Sequence, residues 1–318
     1  MKLPTLKIGN ITVPYPIIQG GMAVRISTSR LAAAVANEGG IGIIAGTAMS
    51  VTELKNEIAQ ARKMITGRGA LGVNILFAVS QFADLVKNAM ASGIDMLVSG
   101  AGFSRDMFAW GRTYGVAVVP IVSSVRLAKL AESLGAAAVV VEGKEAGGHL
   151  GTDRSVKEIL PEICKSVKIP VIAAGGIING GDIRHFLEKG AHGVQMGTRF
   201  AASKESNGSN NFKQAYIKAK PSHSIIIESP VGLPARGIRS SFSRRILADS
   251  VIDVPLCSNC LKRCSRAFCI REALEKAQEG DMDNGLVFAG ERVGEINDVL
   301  STSDIFKNLI REFTLAKK

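Results

Sequence analysis

Short apolar runs recur along the first two hundred residues, each followed by a stretch whose apolar positions repeat every three or four. The first run, Pro16-Ile17-Ile18-Gln19-Gly20-Gly21, leads into a segment capped near Thr28 or Ser29. That segment puts Leu31, Ala32, Val35 and Ala36 on one helical face and stops at Gly39 or Gly40. Gly42-Ile43-Ile44 precedes a helix over about 51–65, and Leu71–Ile75 precedes one over about 82–91. Met96–Gly100 and Val116–Val122 read as the fourth and fifth strands, Ala137–Val141 as the body of the sixth, Pro170–Gly176 as the seventh and Gly193–Thr198 as the eighth. These runs are continuously apolar, which suits strands covered on both faces, as in a parallel sheet. Eight such units predict an α/β fold, a (β/α)8 TIM barrel. A doubly wound open sheet is the competitor, but it more often carries a Gly-x-Gly-x-x-Gly turn after its first strand, and none is present.

Past Phe200 the alternation stops. Residues 203–220 read as a polar loop and a helix, Ile225–Ile227 as a short strand, and Ser229–Arg236 as an extended segment punctuated by proline. A helix over about 268–279 and a turn segment over 280–290 follow, then an amphipathic helix Ser303–Thr314 that docks through Ile305, Leu309 and Ile310. Little apolar content remains for a second core. The expected organisation is a barrel over 1–200 and a C-terminal extension over 201–318 packed on it.

Composition narrows the class. Of 318 residues, 46% are hydrophobic and 34 are glycine, enough for one large barrel with an appendage. No apolar run reaches ~18 residues, and Met1–Lys7 carries no secretory apolar core, so a soluble, cytoplasmic protein with no membrane contact is expected. The formal charge of +11 favours acidic partners or anionic substrates, while no nucleic-acid motif accompanies it. A basic rim for an acidic carrier protein and plain solubility both account for that charge. Arg236, Arg239, Arg244 and Arg245 cluster, either to grip a phosphate or an acidic partner or as a solvated basic face.

The candidate chemistry lies where the sixth strand turns polar: Val139-Val140-Val141-Glu142-Gly143-Lys144-Glu145-Ala146-Gly147-Gly148-His149-Leu150-Gly151. Gly147 and Gly148 allow a sharp turn and close approach to a ligand, delivering His149 past the strand's carboxyl end, where such barrels keep their active sites. An imidazole exchanges protons near neutral pH, so His149 is the catalytic candidate, against a histidine that merely bonds a cofactor. Glu142 and Glu145 flank the turn, as ring-orienting or cation-binding groups or as structural hydrogen bonders; Glu142 is counted with the cofactor site. Gly175 and Gly176 end strand seven, and Gly197 and Thr198 end strand eight, so backbone N–H groups can converge on one phosphate. Gly21, Met22 and Asn74 could complete a pocket for a flat ring, although a buried Asn74 paired to backbone is the plainer reading.

Four thiols occupy thirteen residues, Cys257, Cys260, Cys264 and Cys269, spaced C-x2-C-x3-C-x4-C. In a reducing compartment this points to metal or cluster ligation rather than disulfides. The compact spacing is more typical of a [4Fe–4S] cluster, with zinc as the alternative.

The motifs Gln19-Gly20-Gly21-Met22, Gly72-Val73-Asn74, Glu145–Gly151, Ile172–Ile177 and Val194–Phe200 resemble the FMN-dependent barrel family of nitronate monooxygenases and flavin-type enoyl-ACP reductases, over roughly residues 8 to 315. The resemblance implies FMN in the barrel mouth, its phosphate on Gly175, Gly176, Gly197 and Thr198 and its ring near Gly21, Met22, Asn74 and Gln195. It also implies His149 as the acid/base residue. Separately, the turn segment over 280–290 is placed to return to the flavin. The cysteine run, with Ser229-Pro230-Val231-Gly232 and Asn284–Gly290, is similar to a branch containing an FMN and [4Fe–4S] acyl-ACP dehydrogenase/isomerase; there the spacing before the last cysteine is longer. The expected activity is redox at the Cα–Cβ bond of an acyl or enoyl thioester, with NAD(P)H or an external acceptor completing the cycle and nitronate oxidation as the alternative. Expected partners are an acyl carrier protein or a small-molecule substrate, with a homodimer left open.

Overall fold

In the computed structural model, which describes residues 2–248, 252, 254 and 257–316, eight parallel strands close into a barrel. In chain order they are Ile17–Gln19, Ile41–Ala45, Ala70–Leu76, Met96–Gly100, Ala117–Val122, Val139–Glu142, Val171–Ala174 and Gly193–Met196. The ring closes through Ile18 beside Gln195, and Glu142, Ala174 and Gln195 lie level at the carboxyl ends of the last three strands. That register places their side chains at one end of the barrel.

Both strand faces are buried, which is why the sequence reads as unbroken apolar runs. Ile18, Ile43, Val98, Val119, Val140 and Ile172 fill the interior, while Ile17, Ile44, Val73, Leu97, Val141 and Val194 pack beneath the helices. Several outer helices begin where a side chain satisfies their free N–H groups, although Thr28, expected as a cap, makes no such bond before Ser29–Asn37. Ser50 and Glu53 form a capping box at Val51–Met64, and Asn179 and Asp182 form another at Gly180–Glu188.

A hairpin that the sequence pattern did not reveal, Leu6–Ile8 with Ile11–Val13, precedes the barrel. Leu6, Ile8, Ile11 and Val13 belong to the interior cluster, so the hairpin plugs the amino-terminal end and leaves the other open.

Beyond Phe200 the chain first covers the open end and then returns to the wall. Ser224–Glu228 and Pro234–Ile238 form a sheet whose third strand is Gly148–His149. The final helix, Thr302–Leu315, buries Ile305, Phe306, Leu309 and Phe313 against the barrel. It packs beside Gly180–Glu188 and Ser29–Asn37, the place of the eighth outer helix. No helix among the described residues is long and apolar enough to cross a membrane.

Candidate active site

The turn after the sixth strand is built from its neighbours. Glu145 is a structural hydrogen bonder: its carboxylate accepts from Val156 N at 3.0 Å and from the Ser155 hydroxyl, fixing the start of helix Val156–Cys164. Gly147 allows the returning segment to come close, since a Cβ there would sit 2.7 Å from Gly290 N. Arg236 is 7% exposed and donates to Lys144 O at 3.1 and 2.9 Å and to Ser224 Oγ at 3.1 Å. It braces the turn from behind, so the expectation that it grips a phosphate or meets a partner gives way to a structural role.

His149 sits on a two-residue strand, opposite Ala235, and the next residue's N–H donates to Pro234 O at 2.8 Å. Its Nε2 lies 2.9 Å from Ser229 Oγ, and the Phe288 ring meets it edge-on at 5.3 Å between centroids. Burial pushes the imidazole down to about 4, so it is neutral at physiological pH. Burial has the opposite effect on the Glu142 carboxyl, pushed up to about 8. The shift favours the protonated carboxyl, the form able to donate a hydrogen bond.

Both groups face a cavity of about 560 Å³ across the barrel mouth. Gly21, Met22, Asn74, Gly147, Gly148, Gly175, Gly176, Gln195, Gly197 and Thr198 line it as well, so the residues singled out for cofactor and catalysis share one space. Gly175 and Gly176 take φ of +105° and +70°, which L side chains rarely adopt, and form a bare backbone lip. Arg292 supports that lip by donating to Gly176 O at 2.8 Å and is held by Asp182 and Glu295, which raise its affinity for a proton. Thr198 Oγ1 accepts from Gly290 N at 2.9 Å, leaving its own O–H to donate. Asn74 Nδ2 reaches Gly21 O at only 3.5 Å, and Gln195 Oε1 is buried without a hydrogen-bond partner. Val79, Leu85, Val231, Leu261 and Ile270 add apolar surface to the lining, beside the polar Ser80, Gln81, Asn259 and Arg271.

The cysteine run does not form the expected metal centre. Among the described residues no three His, Cys, Asp or Glu side chains gather as a ligand set. Cys257 Sγ lies 3.7 Å from Asn259 Oδ1, and Cys264 Sγ accepts from Arg266 N at 3.4 Å. Cys260 is half-buried against the cavity, and Cys269 precedes helix Ile270–Glu279 without a side-chain capping bond. The described geometry therefore does not support the expected [4Fe–4S] cluster or its zinc alternative. The segment instead straps the mouth: Ser80 N donates to Cys260 O at 2.9 Å, Lys262 N to Ala78 O at 2.8 Å, and Lys262 Nζ lies 3.7 Å from the Phe77 ring centroid.

A family model for nitronate monooxygenase matches residues 4–312. The chain belongs to the nitronate monooxygenase family. The chain is 33% identical over 226 residues to the (3aS,4S,5R,7aS)-5-hydroxy-7a-methyl-1-oxo-octahydro-1H-indene-4-carboxyl-CoA dehydrogenase of Rhodococcus jostii, covering 71% of this chain and 63% of that protein's length. It is 28% identical over 305 residues to a probable nitronate monooxygenase of Staphylococcus saprophyticus, covering 80% and 85%. FabK from Thermotoga maritima superposes with a TM-score of 0.86 at 33% identity, covering 95% of this chain and 93% of that one. Family membership makes the chain an FMN-type oxidoreductase.

The residues present fit a phosphorylated flavin. The glycine lip and the free Thr198 O–H offer donors to a phosphate, and the unpartnered Gln195 Oε1 awaits an N–H. Sequence reasoning did not find Ser229 and Phe288 as neighbours of His149, nor Arg25, which lines the cavity. Arg25 donates to Glu53 at 2.6 and 3.0 Å and to Glu275 at 2.8 Å, tying the first strand's loop to the extension. The other histidines lie elsewhere: His192 Nδ1 accepts from Val171 N and His223 Nδ1 from Lys220 N.

Proposed function

We propose that the protein binds FMN in the mouth cavity and catalyses redox at the Cα–Cβ bond of an acyl or enoyl thioester, carried on acyl carrier protein or CoA, with His149 as the acid/base residue. The observation that carries this reading is the apolar part of the cavity lining. Val79, Leu85, Val231, Leu261 and Ile270 give an acyl chain a surface to bury, which a small charged nitronate would not use. The Rhodococcus relative, a carboxyl-CoA dehydrogenase, supports a thioester substrate.

FMN, when bound, supplies hydride exchange with the substrate. The chain's own residues do the rest. The phosphate would rest on Gly175, Gly176, Gly197 and Thr198, and the ring would lie near Gly21, Met22, Asn74 and Gln195. Glu142 and Gly148 would close the cofactor side next to His149. Neutral His149 takes a proton from Cα in the direction of dehydrogenation, and its protonated form returns one in the direction of reduction. The electron partner would be NAD(P)H for reduction or an external acceptor for dehydrogenation. No electron-transfer step is assigned to the cysteine run.

A second reading, nitronate oxidation, is favoured by the family model itself and by the Staphylococcus relative. Anaerobic mixing of the flavin-loaded enzyme with acyl thioester, enoyl thioester plus NADH, or propionate 3-nitronate separates the two through flavin absorbance. The thioester reading expects bleaching by the acyl thioester, or bleaching by NADH that the enoyl thioester reverses. Bleaching by the nitronate alone would reject it.

A further inference from the structure

We propose that Ser229 is the positioning residue for His149: its hydroxyl occupies Nε2, so that Nδ1 is the nitrogen that meets the substrate. This rests on the reading of His149 as the acid/base residue. The contact is 2.9 Å long, and His149 Nδ1 makes no hydrogen bond among the described residues. Ser229 is 6% exposed. Its hydroxyl both donates and accepts, so it can hold the ring through either neutral tautomer and through the cation. A proton taken from a substrate carbon enters the Nδ1 lone pair, the C–H electron pair stays with the substrate, and the Nε2–H of the resulting cation donates to Ser229 Oγ. Reversal returns the ring to its neutral state.

The serine is held from several sides. Ser229 N donates to Leu233 O at 3.2 Å, Gly232 N to Ser229 O at 2.9 Å, and Val231 N to Ser229 Oγ at 3.4 Å, which makes a closed turn. Ser265 N donates to Pro230 O at 3.0 Å, so the cysteine-bearing strap steadies that turn. The imidazole also meets the Phe288 ring in a T-shaped contact, and the Phe288 carbonyl accepts from the buried Tyr216 hydroxyl at 2.6 Å. Two contacts of different kind thus restrain the imidazole, as a group must be restrained to act at one fixed atom.

The test compares Ser229→Ala, Ser229→Thr and His149→Gln in the flavin-loaded enzyme. Losing one hydrogen bond to the acid/base group should lower kcat about 10- to 100-fold and shift the pH profile of kcat, with KM within about threefold. The threonine variant should restore the wild-type profile, and flavin content should be unchanged throughout. Independently of activity, long-range 1H–15N spectra of protein labelled at histidine nitrogen, assigned by loss of signals in His149→Gln, should show Nε2 hydrogen-bonded in wild type and Ser229→Thr and altered in Ser229→Ala. Should the alanine variant fail to fold, Ser229→Cys, close in volume and a weak hydrogen-bonding partner, takes its place with the same expectations. Wild-type kcat and wild-type ring signals in Ser229→Ala or Ser229→Cys would overturn the proposal. Full activity of His149→Gln would instead overturn the acid/base reading, while the ring signals would still report whether Ser229 holds Nε2.

Discussion

Replacing Glu142 by glutamine gives a direct test of how strongly the cavity desolvates its walls. The carboxyl, ordinarily near 4.5, is pushed up to about 8 by burial alone, with no paired charge opposing it. Between those values the folded protein keeps a proton that the unfolded chain releases, so wild-type stability is full below pH 4.5 and declines as pH rises towards 8. Complete desolvation would put the loss at about 5 kcal/mol. Glu142 is half-buried and faces a cavity open to water, so screening brings the expected loss to roughly 1–2 kcal/mol. Glutamine mimics the protonated acid in shape and has no proton to lose. Urea unfolding of flavin-free protein should therefore find Glu142→Gln and wild type alike near pH 4.5, with the variant roughly 1–2 kcal/mol more stable near pH 8.5. A stability difference that does not change with pH, or a variant that is the weaker one at pH 8.5, would refute the assignment.

Other substitutions probe the remaining supports. His149→Ala should slow turnover by about 10²- to 10⁴-fold while leaving flavin absorbance intact, as read by stopped-flow reduction. Because burial pushes His149 from 6.5 down to about 4, its contribution to stability is complete above pH 6.5 and lost as pH falls towards 4; the same variant should show a shallower acid limb in thermal unfolding. Gly147→Ala places a methyl against the Ala289–Gly290 backbone, and overpacking of this kind costs about 1–3 kcal/mol. Its signature should be faster flavin loss on dilution. Arg236→Met removes the donors to Lys144 O and Ser224 Oγ, and urea unfolding should register a loss of about 2–4 kcal/mol.

What the sequence showed and what it hid divide along one physical line. Properties carried by consecutive residues were legible. Strands buried on both faces read as unbroken apolar runs, and the helix expected over about 51–65 is found at Val51–Met64. The glycine pairs read as backbone bare enough to approach a ligand, and they line the cavity. Properties created by distant residues were not legible. The plugging hairpin has only three residues per strand, too few for alternation to stand out from coil. Arg236 looked like one member of a basic run, and charge pattern does not reveal which guanidinium is buried. The cysteine spacing suggested ligation because spacing counts residues along the chain. In space Asn259 and Arg266 take left-handed φ of +48° and +58°, and Cys257 and Cys264 engage these two neighbours locally instead of converging. His149 is the decisive case, because its ring partner Ser229 lies 80 residues away and, among the described residues, its strand pairs with Pro234–Ile238. A chain ending at Phe200 would leave that strand unpaired and the barrel without the helix Thr302–Leu315 in its wall. The proposed acid/base residue is encoded in the barrel, but the partners that orient its ring, Ser229 and the strand Pro234–Ile238, come from the extension.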